Sequence, residues 1–100
     1  MKAAILNKVA GGFAIEEIGI DAPKGREVLV TVKASGLCHS DLHMAESKYG
    51  VPLPAVFGRE LAGIVTALGT DAHELASTDD VVCSLMRYCG HCQACLAGRP

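Results

Sequence analysis

Three short segments carry the side chains capable of chemistry. Cys89-Gly90-His91-Cys92-Gln93-Ala94-Cys95 contains two overlapping C-x-x-C units. Two-residue spacing lets a tight turn aim both thiolates at one cation, with each sulfur about 2.3 Å away. The N–H groups of that turn stabilise the sulfur charge, and Gly90 is free to take the positive φ it requires. Soft thiolates in a tetrahedral set favour Zn(II). The competing chemistry is a redox dithiol, which uses a helix start after a strand and has no place for a third cysteine. Three thiolates leave a structural zinc one ligand short. Within the chain, His91 and Cys83 are the candidates. His91 lies inside the turn and is expected to point away, and Cys83 reads as a small core residue of an apolar strand. The fourth ligand is therefore expected beyond Pro100, which would make these residues a fragment.

The second segment, Cys38-His39-Ser40-Asp41-Leu42-His43, gathers a thiol, a hydroxyl, a carboxylate and two imidazoles within six residues. A thiol at a helix start is favoured as thiolate. His39 and His43 are four apart and share a helix face. Nucleophilic Cys/His catalysis, a metal ligand with a hydroxyl relay, and a plain helix cap with surface histidines all fit this pattern. The third segment, Gly58-Arg59-Glu60, precedes an apolar strand. By itself it reads as a turn with an exposed ion pair, worth little.

Composition narrows the setting for these groups. The chain has 100 residues, a net charge of −2, half its residues hydrophobic, two Phe, two Tyr and no Trp. That fits one domain with a modest core, since a chain of this length buries roughly 60–65% of its unfolded surface. The charge balance argues against a nucleic-acid binder. No apolar run approaches the ~20 residues of a membrane span, and the apolar part of the N-terminus is too short for a signal peptide. Five cysteines, three of them within seven residues, make a poor disulfide framework. A cytoplasmic protein with no membrane or nucleic-acid partner is expected.

The elements that position these groups are mainly strands. Residues 2–6 form a short apolar strand ended by Gly11-Gly12. Residues 13–20 form another, whose apolar face shifts after Ile15 and implies a bulge or bend. Residues 27–34 alternate most clearly, with Val28, Val30 and Val32 on one face. The one helix is expected over about 40–47, capped by His39 or Ser40, with Asp41 favourable in its first turn. Residues 49–54 hold two prolines and forbid regular structure. Strands follow over 60–68, with a bend marked by Gly63, and over 80–85; residues 88–100 are loop. The fold class is therefore mainly β: an irregular, partly open barrel with one short helix.

Taken together, the segments resemble the N-terminal part of zinc-dependent alcohol dehydrogenases of the medium-chain dehydrogenase/reductase superfamily. The resemblance runs through Glu27-Val28-Leu29-Val30, Ala34-Ser35-Gly36-Leu37 and the Cys38 segment, then Leu53-Pro54. It continues through Gly58-Arg59-Glu60-Leu61-Ala62-Gly63-Ile64-Val65, Asp79-Asp80-Val81-Val82 and the cysteine loop to Pro100. It implies a GroES-like β fold. Residues 1–100 would be the N-terminal catalytic domain, cut inside the structural-zinc loop, with the Rossmann domain absent. No G-x-G-x-x-G spacing occurs.

The resemblance also implies roles. Cys38 matches a ligand of the catalytic zinc, Ser40 the hydroxyl that takes the alcohol proton, and His43 the base that passes it to solvent. Asp41 matches a carboxylate behind the zinc site, and His39 a basic residue near the cofactor pyrophosphate. Cys89, Cys92 and Cys95 match three of four structural-zinc thiolates. The implied reaction interconverts alcohols and aldehydes or ketones by hydride transfer to NAD or NADP, with zinc as Lewis acid. A homo-dimeric or homo-tetrameric parent is implied, and the fragment alone is expected to be inactive.

Two departures stand out. The family commonly has Gly-His-Glu where this chain has Gly58-Arg59-Glu60, and that His ligates the catalytic zinc. Arg has no acceptor and stays protonated. The alternatives are that Glu60 serves as a ligand, or that Arg59 pairs with Asp41 or Glu60 in a relative that lost the catalytic zinc, a reductase or pseudo-enzyme. A stand-alone zinc-binding module is a further alternative. The second departure is Thr78, where the family usually has Gly.

Overall fold

The computed structural model describes residues 1–47, 50–86 and 88–100. The expected irregular segment 49–54 is described from Gly50 onward and holds no helix or strand before Ala55; Tyr49 lies outside the described residues.

Two three-stranded antiparallel sheets make up the mainly β fold, and among the described residues no closed barrel forms. In the first sheet, β1 (Lys2–Leu6) lies between β2 (Phe13–Glu17) and β4 (Ala55–Val56). β1 supplies Ala3, Ile5 and the fully buried Leu6 to the core. β2 pairs with β1 in unbroken register from Phe13 to Glu17, so of the bulge or bend expected after Ile15 the pairing contains no bulge. Ile15 is instead exposed to solvent at 70%. In the second sheet, β5 (Leu61–Leu68) lies between β3 (Val28–Ser35) and β6 (Asp80–Val82).

The β3–β5 pair is the longest in the molecule and carries two register shifts, one between Leu29 and Val30 and one between Val32 and Ala34. The second lies opposite Gly63, so the irregularity expected at that glycine is a bulge in its partner strand rather than a break in β5. Glycine is required here by close approach: a Cβ at Gly63 would run into the Thr31 carbonyl oxygen and come within 2.7 Å of Val30 Cγ1. The alternation of β3 does not translate into a buried face. Val28 to Val30 are half-buried, whereas Thr31 to Ser35 are all exposed.

Helix α1 (His39–Glu46) follows β3, and Ala45 and Asp41 form its buried side. A backbone hydrogen bond from Ala10 N–H to the Ala45 carbonyl (2.7 Å) fastens its end to the first sheet. The expectation of a single helix requires correction. A second, α2 (Gln93–Leu96), turns within the cysteine loop, too short to show periodicity in the sequence. The last strand also stops at Val82 rather than reaching residue 85, so Cys83 is exposed and not a core residue.

Thr78 has φ 78°, in the left-handed region that costs a β-branched residue about 1–3 kcal/mol. It is held there because its N–H donates to the Val65 carbonyl (2.8 Å) while Asp79 follows into the sheet. The Gly found here in the resembling family thus has a backbone reason. Thr78→Gly should raise stability by about 1 kcal/mol, the relief of strain being partly offset by glycine's entropy. Gly63→Ala should lower it by about 1–3 kcal/mol through overpacking. Urea denaturation midpoints of the two variants should therefore move in opposite directions.

Candidate functional site

The three cysteines of the C-terminal loop converge. Their sulfurs lie within 4.8 Å of one another, the one set of three or more metal-capable side chains so gathered among the described residues. Cys89 Sγ and Cys95 Sγ are 3.6 Å apart, close to the ~3.8 Å edge of a tetrahedron built on 2.3 Å bonds. The turn supplies the expected N–H groups: Cys92 N–H points at Cys89 Sγ (3.4 Å) and Cys95 N–H at Cys92 Sγ (3.5 Å). Cys92 caps α2, and Gly90 takes φ 80°. Cys95 is buried, Cys89 half-buried and Cys92 exposed. His91 does not join the set; its Nδ1 lies 2.9 Å from the Cys89 carbonyl oxygen, and its ring is exposed.

Hydrogen bonds lower the Cys89 thiol from 9.0 to about 6, the His91 backbone N–H contributing most, followed by the Cys92 backbone and side chain. Donors aimed at a sulfur favour the charged form. These three residues fit a zinc ion, which would cross-link the loop and the short helix behind it.

Arg26 also belongs to this loop, and nothing local in the sequence points to it. Its guanidinium donates to the Cys89 carbonyl (2.9 Å) and pairs with Glu74 (3.1 Å). That ties the cysteine turn to the segment before β3, across 63 residues of sequence.

The second site is built where β3 ends and β5 begins. Gly36 N–H donates to the Glu60 carbonyl (2.7 Å), holding the Cys38 segment against Gly58-Arg59-Glu60. A Cβ on Gly36 would lie 2.5 Å from Glu60 Oε2, so the glycine is what admits the Glu60 side chain here. Cys38 itself, rather than His39 or Ser40, is the N-cap of α1. Asp41 Oδ2 accepts from Cys38 N–H (3.2 Å), and Asp41 is 8% exposed. Asp41 therefore organises the helix start, as its charge in the first turn favours.

Ser40 Oγ donates to Cys38 Sγ (3.1 Å). That hydrogen bond is the main cause holding the Cys38 thiol below its ordinary range, reinforced by the Ser40 backbone N–H and the Arg59 cation. His39 and His43 are both exposed and meet edge to face, with ring centroids 4.4 Å apart. Asp41 and Arg59 line a cavity of about 200 Å³ together with Met44, Val56, Phe57, Gly58 and Leu85. Leu42 does not line it and is half exposed at 47%. The alternative pairing of Arg59 with Asp41 or Glu60 does not occur: the ion pairs among the described residues are Met1 with Glu17 and Arg26 with Glu74.

This donor set does not fit a catalytic zinc. Cys38 and Glu60 bear lone pairs, but Arg59 offers none and brings a permanent cation. A unit charge and a divalent ion about 5 Å apart repel by roughly 7 kcal/mol at an effective dielectric of about 20.

Comparison with known proteins agrees with the fold. Residues 24–100 match the alcohol dehydrogenase GroES-like domain. The chain belongs to that family. It is 41% identical over 98 residues to an NDMA-dependent alcohol dehydrogenase of Amycolatopsis methanolica, covering 98% of this chain and 26% of the relative. It is 42% identical over 99 residues to a geraniol dehydrogenase of Castellaniella defragrans, covering 99% and 26%. Among solved structures, an alcohol dehydrogenase zinc-binding domain protein from Burkholderia ambifaria superposes with a TM-score of 0.89 at 47% identity, over 97% of this chain and 26% of that one. Benzyl alcohol dehydrogenase from Acinetobacter calcoaceticus gives 0.87 at 44% identity, over 96% and 26%. The chain thus spans about a quarter of the length of the curated relatives it matches.

The lowered Cys89 thiol has a pH consequence. Because its folded value is depressed, its contribution to stability is full above 9.0 and is lost as pH falls through about 6. In the metal-free chain, iodoacetamide labelling of Cys89, followed by peptide mass spectrometry, should reach half its maximal rate near pH 6. A midpoint near the ordinary thiol value would remove the N–H donors as its cause.

Proposed function

We propose that this chain is the GroES-like N-terminal domain of an alcohol dehydrogenase-type oxidoreductase, residues 1–100, and that its dinucleotide-binding Rossmann domain lies outside them. The observation that carries this reading is the family match over residues 24–100, together with the superposition on zinc-type alcohol dehydrogenases. The reaction is hydride transfer between a small alcohol and NAD or NADP, giving an aldehyde or ketone.

The exposed surface supports a neighbouring domain. The chain exposes 7488 Å², against about 5,400 Å² for a compact monomer of its mass. Leu37, Val82, Leu85, Met86 and Leu96 all stand in solvent. Six hydrophobic residues are buried among those described, a small core.

In this reading, Cys89, Cys92 and Cys95 hold a structural zinc, with one further ligand from outside the set. Zinc bound there contributes folding free energy, on the order of 10–16 kcal/mol in small peptides. Ser40 and His43 handle the proton. They lie three apart on α1, on one helix face. Ser40 is half-buried beside Cys38, and the exposed His43 meets solvent. Ser40 would take the alcohol's hydroxyl proton and His43 would pass it to water, while a nicotinamide held by the neighbouring domain would supply the hydride acceptor. His39, exposed beside His43, serves the cofactor pyrophosphate. Asp41 keeps Cys38 at the helix start. A homo-dimeric or homo-tetrameric parent acting in the cytoplasm is consistent with this assignment, and no helix of the described residues is long and apolar enough to cross a membrane.

Arg59 favours a second reading, a member of the superfamily that works without the catalytic zinc. In that case Cys38 and Glu60 are not metal ligands in this protein.

The test is turnover. A protein joining this chain to a dinucleotide-binding domain should reduce NAD or NADP with a primary alcohol, and Ser40→Ala should slow it by about 10²-fold or more. The 100-residue chain alone should show none. Steady nicotinamide reduction by the isolated chain would overturn the domain assignment.

A further inference from the structure

A metal ion is held by lone pairs, and a site that has traded one for a guanidinium has exchanged one kind of cation for another. Arg59 occupies the position at which the resembling family carries an imidazole. Its neighbourhood is imposed by the backbone. The Gly36–Glu60 hydrogen bond of 2.7 Å joins the two segments, and Arg59 lines one cavity with Asp41 in the first turn of α1. Among the described residues Arg59 has no carboxylate within ion-pair distance, although Asp41 lines the same cavity. Asp41 accepts from Cys38 N–H, and the Glu60 side chain lies over Gly36. Among the described residues Cys38 and Glu60 gather no third donor, whereas the C-terminal loop does.

We propose that Arg59 has replaced the metal as the cation of the Cys38 site, so that the chain holds zinc only through Cys89, Cys92 and Cys95. The Cys38 sulfur is hydrogen-bonded by Ser40, and Asp41, which accepts from Cys38 N–H, shares its cavity with Arg59. This rests on the reading of the C-terminal loop as a zinc site, and the two are separable. The substitution is also a reversible one: an imidazole at position 59 restores a neutral nitrogen donor beside a thiolate and a carboxylate.

The experiment is cobalt(II) titration of the metal-free chain, read by thiolate-to-cobalt absorption and by counting bound metal after free metal is removed. Cys38→Ser should leave both the spectrum and the stoichiometry unchanged, while Cys92→Ser should abolish most of the signal. At saturating cobalt, Arg59→His should add absorption and about one further equivalent, both lost again when Cys38→Ser is combined with it. Loss of an equivalent in Cys38→Ser alone overturns the proposal. So does the absence of any gain in Arg59→His, because the guanidinium is then not what keeps metal out. If the unaltered chain binds no cobalt but Arg59→His binds one equivalent through Cys38, the proposal for Arg59 stands and the reading of the C-terminal loop fails.

Discussion

The antiparallel pairing of β3 with β5 sets where everything else in this chain can be. One end of the ladder closes at Gly36 and Glu60, the other at Glu27 and Gly69, where a further backbone hydrogen bond of 2.8 Å caps the pair. Between them the two register shifts let strands of equal length bend past each other. At Gly63 the backbones approach too closely for any side chain. A slip of one residue would move Arg59 and Glu60 away from Cys38 and reverse every face of β5. The chemistry-bearing corner is therefore a product of strand register. The helix that carries most of its side chains is only eight residues long and would be marginal alone.

Much of this was readable from residue order. β1, β3 and β5 appear within a residue or so of their positions, because apolar and β-branched runs bounded by glycine carry strong strand signals. The metal cluster was legible from spacing alone, since C-x-x-C encodes its own turn. What stayed hidden has physical causes. β4 has two residues and α2 has four, below the length at which any periodicity exists. Cys83 reads as core because it follows two valines, yet β6 ends before it and it is exposed. The cap of α1 reads as serine or histidine because hydroxyls and small polar groups cap best. Cys38 takes the place because Asp41, three residues on, satisfies its N–H. Arg26 is invisible for the plainest reason: its partners are 48 and 63 residues away.

The two thiol sites solve one electrostatic problem differently. A thiolate needs compensation, from donors, from a cation, or from both. At Cys89 the compensation is a turn of backbone N–H groups already aimed at the sulfur, with two more sulfurs beside it. That arrangement concentrates negative charge and makes a divalent ion the favourable third party. At Cys38 a single sulfur has a hydroxyl and a guanidinium for neighbours. The permanent cation of Arg59 would repel a divalent ion brought to that sulfur.

That contrast bears on how such a domain changes function without changing fold. The ladder between Gly36 and Glu60 depends on backbone groups and on glycine's missing side chain, none of which involves position 59. A substitution there leaves the strand pairing, the helix cap and the distant cysteine cluster intact. Its consequences fall almost entirely on the charge and donor set of one corner. Arg59 is partly exposed, so its long side chain needs no cavity in the core. A metal ligand at the mouth of a rigid sheet is thus among the easier residues to exchange. A new cation can take up the charge of the thiolate left behind before any other part of the scaffold has to move.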